Sequence, residues 1–143
     1  LILQFYGNQS NNRLSVLLKD VKNCLKHLNK GGVIIMHDCN PTTEPMAEQS
    51  FEVFEKTPNS GKAWCGNVWK TIAHIKSAYS DLNVFVLDAD YGLGIITRGN
   101  QENMLEYNID VIEKMSYTDL AKNRENILNL KSPDYLYEFI SKL

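Results

Sequence analysis

Gly31-Gly32-Val33-Ile34-Ile35-Met36-His37-Asp38-Cys39-Asn40-Pro41 is the stretch whose reading decides the fold. Two glycines supply a turn. Four apolar residues follow without a polar break, and then come His, Asp, Cys, Asn and Pro. An apolar run this short, bounded by turn residues, suits a strand covered on both faces. Such strands belong to parallel α/β sheets, whose ligands bind in the crevice at the carboxyl ends. His37, Asp38, Cys39 and Asn40 fall at that end, so any chemistry is expected there.

Upstream, Leu14, Leu17, Leu18, Val21, Leu25 and Leu28 recur at three- and four-residue steps. That spacing predicts an amphipathic helix from about Arg13 to Leu28, stopped by Gly31. Leu1 to Tyr6 reads as a strand and Gly7 to Asn12 as a loop. Strand, helix and strand then form a βαβ unit.

Downstream, Asn40 to Gly66 is irregular, with Pro41, Pro45, Pro58 and Gly61 and a short helix over Glu48 to Phe54. A loop this long is usually functional, and this one is placed to cover a ligand. Asn67 caps a second helix, which runs to Tyr79 with Val68, Ile72, Ile75 and Tyr79 on its apolar stripe. Leu82 to Leu87 is a strand, with Val84 and Val86 on one face and Phe85 and Leu87 on the other. It returns as Tyr91 to Thr97. The connection is too short for a parallel crossover, so the pair is an antiparallel hairpin. Gly92 and Gly94 mark a kink or a close backbone approach. The rest reads as helices: Glu102 to Lys114, Tyr117 to Leu128 capped by Ser116, and a last one opened by Ser132-Pro133.

At 143 residues the chain suits one domain with one core. A net charge of -2 without a basic block argues against nucleic acid as a partner. No apolar run approaches the roughly 20 residues that span a bilayer, so no membrane contact is expected. Cys24, Cys39 and Cys65 are odd in number and lack CxxC spacing, which argues against a disulfide framework or zinc knuckle and fits a reducing cytoplasm. The chain opens in an apolar segment without Met or a signal peptide, as a sequence looks when an upstream part is missing.

Several phrases together resemble the carboxyl-terminal half of a class I S-adenosylmethionine-dependent methyltransferase, of the methyltransferase-24 type. They are Val16-Leu17-Leu18-Lys19-Asp20-Val21, the stretch from Leu28 to Pro41, Gly66-Asn67-Val68-Trp69-Lys70, and Val86-Leu87-Asp88-Ala89-Asp90-Tyr91-Gly92-Leu93-Gly94-Ile95-Ile96. The resemblance runs from about Leu14 onward. It implies a Rossmann-like α/β sheet, mostly parallel with a terminal antiparallel hairpin, and with its amino-terminal half missing. One methyltransferase-like domain then fills 1–143, as a partial Rossmann-like core over 1–99 and a helical tail over 100–143. Two departures stand out. No G-x-G-x-G occurs, and Gly7 to Asn12 stands where the family places Asp-Gly-x-His.

The candidate catalytic residues are His37, as general base or orienting group, and Asp38. Alternatively, Asp38 and Asn40 bond backbone N–H groups and shape the turn before Pro41. A lone Asp is a poor site for a hard metal ion, so no metal is assigned. Asn40, Trp64, Asn67 and Trp69 are candidate substrate contacts. The competing reading of the last three is packing plus a helix cap. Asp88 and Asp90 read as turn residues before paired acids.

The resemblance thus implies an enzyme, or a fragment of one, that moves a methyl group from S-adenosylmethionine to a small-molecule acceptor. The alternative is a truncated, non-catalytic domain that serves interaction or self-association. An exposed sheet edge and face make a homo-oligomer the expected state under both.

Overall fold

The computed structural model describes residues 2–3, 14–61 and 63–143. The elements in chain order are β1 (Ile2–Leu3), α1 (Leu14–Lys26), β2 (Val33–Met36), a 3-10 turn (Pro45–Ala47), α2 (Phe51–Lys56), α3 (Val68–Ala78), β3 (Leu82–Leu87), β4 (Leu93–Arg98), α4 (Ile109–Lys114), α5 (Tyr117–Leu128), β5 (Leu130–Lys131) and α6 (Tyr135–Ile140). Of the first expected strand only Ile2–Leu3 is described. The expected loop over Gly7 to Asn12 and the helix start at Arg13 lie outside the described residues.

The five strands form one sheet in the order β1-β2-β4-β3-β5. The mostly parallel Rossmann-like sheet expected from the sequence is not what forms. The antiparallel pairings β2–β4 and β3–β4 run four and six residues, while the parallel pairings β1–β2 and β3–β5 run two each. The physical reason is the place of β4. It does not close the sheet from outside but inserts between β2 and β3, so both of its edges make antiparallel ladders. Leu93-Gly94-Ile95-Ile96 is apolar enough for that central place, and all but Leu93 are buried. The tail is not purely helical either. Asn129 turns the chain at φ 47, and β5 joins the sheet beside β3, where the Asp88 N–H donates to the Lys131 carbonyl at 2.9 Å.

Side-chain alternation along the strands builds two cores. Ile34, Met36, Val84, Val86 and Ile96 face the helical layer of α1, α3, α4 and α5. The α1 stripe expected from spacing is the one buried: Leu14, Leu17, Leu18, Val21 and Leu25. Phe85, Leu87 and Ile95 face the other way, under Phe139 of α6. Phe85 meets Tyr135 and Phe139 edge-on at 5.1 and 5.0 Å, contacts worth about 1 kcal/mol each beyond their burial. β2 is therefore covered unequally, with Ile34 and Met36 fully buried and Val33 and Ile35 only partly.

The segment from Asn40 to Gly66 is tied at its base. The Cys65 and Gly66 N–H groups both donate to the Met46 carbonyl, at 2.9 and 3.0 Å. Trp64 Nε1 donates to the Glu48 carbonyl at 2.5 Å, and its ring meets Phe51 at 5.2 Å. The short helix begins at Phe51 rather than Glu48, because Ser50 caps it by accepting from the Val53 N–H. The helix expected over Glu102 to Lys114 is confined to α4, capped by Asn108. The preceding residues are drawn off, with Leu105 N–H donating to the Lys76 carbonyl at 3.1 Å.

Candidate functional site

β4 runs against the other strands, so the carboxyl ends of β2 and β3 lie beside its start. At that end the ladder continues past Met36. Cys39 N–H donates to the Gly92 carbonyl at 3.0 Å and Asn40 N–H to the Tyr91 carbonyl at 2.7 Å. The approach is close enough that a Cβ on Gly92 would lie 2.4 Å from the Asn40 nitrogen. Glycine at this position, at φ +93, is thus what admits the tip of β2.

The hairpin turn aims a carboxylate at that tip. Asp90 and Tyr91 both hold left-handed backbone, φ 46 and 59, and Gly92 N–H closes the turn on the Ala89 carbonyl at 2.8 Å. This is the primed turn that suits twisted hairpins, although Asn and Gly adopt it at less cost. Asp38 is left-handed too, at φ 63. Three non-glycine residues in this region at one place mark a candidate functional site.

His37 lies between the two acids. Its Nε2 is 2.8 Å from Asp90 Oδ2 and its Nδ1 is 3.0 Å from Asp38 Oδ1. His37 and Asp38 are about a quarter exposed, at 27% and 23%, while Asp90 stands at 71%. Burial pulls the imidazole down, but the hydrogen bond it donates to Asp90 and the charge of Asp38 outweigh that and hold it above its ordinary value. Burial raises the Asp38 carboxyl, against the pull of His37 and a hydrogen bond from the Cys65 thiol. Burial also pushes that thiol up to about 12 and Cys39 higher still, so neither is a nucleophile at neutral pH.

Asn40 is 2% exposed. Its Nδ2 donates to Asp88 Oδ1 at 3.0 Å, and its Oδ1 accepts from Arg124. Arg124 also donates to the Pro41 carbonyl at 2.6 Å and to the Tyr117 hydroxyl at 3.3 Å, and that hydroxyl donates to the Thr42 carbonyl at 2.6 Å. Asn40 is thus a buried strut between the hairpin and α5, and its amide is already bonded to protein. Trp69 is 1% exposed and packs in the main core. Trp64 is half-buried against Phe51. Asn67 holds the N-cap position of α3 without a side-chain cap bond. It lines a half-open cavity of about 180 Å³ with Leu14, Ser15, Gln49, Lys70 and Glu113. The structure therefore brings His37 and Asp38 together and leaves Trp69 and Asn40 inside the protein.

Asp90 and Arg124 are members of this site that the sequence did not assign to it. Asp90 read as a turn residue, which it is, but the turn delivers it to His37. Arg124 carried a signal, since it falls on the apolar stripe of α5 with Leu120, Ile127 and Leu128. Among the described residues no three His, Cys, Asp or Glu side chains converge to hold a metal ion. No helix among them is long and apolar enough to cross a membrane.

No family model, no curated protein and no solved structure matches the chain. Methyl transfer from S-adenosylmethionine is thus implied by the sequence phrases alone, and the sheet, with β4 antiparallel to both neighbours, is not the mostly parallel Rossmann-like one that those phrases imply.

Proposed function

We propose that His37 is the general base of a group transfer to an oxygen or nitrogen of a small molecule, the reaction implied by the sequence phrases being methyl transfer from S-adenosylmethionine. The observation that carries this reading is the imidazole held by both nitrogens between Asp38 and Asp90. Asp90 is the exposed partner, so an acceptor hydroxyl or amine replaces it at Nε2. Asp38 remains at Nδ1, fixes the tautomer and ring orientation, and stabilises the imidazolium once the acceptor proton is taken. The half-open cavity of about 180 Å³ is smaller than the roughly 300 Å³ at which pockets for drug-sized ligands begin. The larger grooves lie along α5 and at the far ends of α1 and α3.

Calorimetric titration with millimolar S-adenosylmethionine, paired with a thermal-shift measurement, tests the reading. Saturable heat and a raised melting temperature support it. Their absence leaves only the second reading, a non-catalytic, self-associating domain. That second reading is favoured by the face around α6, where Tyr137, Ile140 and Leu143 are exposed at 78%, 56% and 55%. Exposed apolar surface of this kind drives pairing, and sedimentation velocity reads it directly. The three free thiols suit a reducing compartment such as the cytoplasm.

A further inference from the structure

We propose that the cavity between the starts of α1 and α3 binds a small hydroxy acid, with its carboxylate against Lys70. Five of its six lining residues are polar: Ser15, Gln49, Asn67, Lys70 and Glu113. Lys70 is only 7% exposed. Its Nζ donates to one protein group, the Glu113 carbonyl at 2.8 Å, and lies 5.6 Å from the Trp69 ring centroid. Among the described residues no carboxylate forms an ion pair with it. A buried ammonium without a paired acid is costly, and burial does lower its proton affinity against the pull of Glu113 and Asp119. A bound carboxylate would relieve that cost. The remaining wall selects the kind of acid. The Glu113 carboxylate accepts only, Ser15 both donates and accepts, and the amides of Gln49 and Asn67 do both. Such a wall suits a ligand that adds hydroxyl groups to its anion.

The inference goes beyond the functional reading above and does not rest on it, since none of His37, Asp38 and Asp90 lines this cavity. Binding itself needs no methyl donor.

The test is isothermal titration of the full chain at pH 7 with D-gluconate, D-glucose and inorganic phosphate, without S-adenosylmethionine. The expected result is saturable gluconate binding at least tenfold tighter than that of glucose or phosphate. Lys70→Met should weaken gluconate at least tenfold, and Lys70→Arg should keep most of the affinity. Because Lys70 is buried, Gln49→Ala and Ser15→Ala serve as milder variants, each expected to weaken gluconate several-fold while the protein melts as before. Equal binding of glucose and gluconate, equal binding of phosphate, no heat with millimolar gluconate, or wild-type affinity in all four variants would each overturn the proposal. Failure to bind S-adenosylmethionine would sink the methyl-transfer reading and leave the gluconate result standing.

Discussion

Lys76 is the sharpest place to test the packing. It is fully buried on α3. Its ammonium donates to the Asn126 and Ile127 carbonyls at 2.5 and 3.1 Å, at the carboxyl end of α5. The helix dipole favours a cation there, yet burial, with a smaller push from Lys131, brings the group from its usual 10.5 down to about 8. A lysine lowered on folding sits in a folded state that binds fewer protons than the unfolded one between those two values. Stability therefore rises with pH across that window. Between pH 7 and pH 9.5 the gain from this one residue is about 2 kcal/mol. Lys76→Met removes the titration and keeps most of the volume. It also leaves the Ile127 carbonyl without its donor, a pH-independent loss of about 1–3 kcal/mol that partly cancels the relief of burying a charge. The pH profile is thus the clean readout, because other titrating groups cancel between the two proteins. Urea denaturation at pH 7 and pH 9.5 should show wild type gaining about 2 kcal/mol on the variant. Parallel profiles would refute the burial argument.

Three further outcomes follow from the site. Arg124→Met should cost about 2–3 kcal/mol in urea denaturation, since it leaves the buried Asn40 Oδ1 unpaired and frees the Pro41 carbonyl; a loss under about 0.5 kcal/mol would mean that the strut is dispensable. Gly92→Ala should cost at least about 2 kcal/mol, while Gly61→Ala, at a similar φ of +85 but with nothing within 4 Å, should cost only about 1 kcal/mol; equal losses by thermal melting would show that the contact with Asn40 is not the cause. His37 should titrate above its ordinary 6.5 by NMR, so its pairing stabilises the fold fully below pH 6.5 and is lost as pH rises through the folded value; Asp90→Asn should lower the midpoint, and an unmoved midpoint would take Asp90 out of the site.

Features set within one element were legible in the sequence. The α1 stripe, the division of Val84 and Val86 from Phe85 and Leu87, and the Ser116 cap, completed by Asp119 as a capping box, all depend on residues a few positions apart. The neighbours of β4 depend on distant partners instead. Leu93-Gly94-Ile95-Ile96 reads equally well as the outer strand of a hairpin or as a central strand, and only the ladder to β2 distinguishes them. β5 has two residues and no pattern to read. His37 and Asp38 stand out in the sequence because they end an apolar run. The burial of Lys70 and Lys76 does not, because a lysine on a helix ordinarily reads as solvated. Their burial reflects backbone carbonyls of α4 and α5, which no local window on α3 contains.

The insertion of β4 also sets the timetable of assembly on the ribosome. Ile35 waits for Ile95, sixty positions later, before its second edge is paired. During synthesis β2 would emerge with that edge bare, a stretch of apolar backbone open to misjoining with other nascent chains. The β3–β4 hairpin is local and able to close soon after its turn emerges. Closure of the sheet is then a docking of the late hairpin onto the early strand, which makes the interval between them the period when a chaperone would matter most.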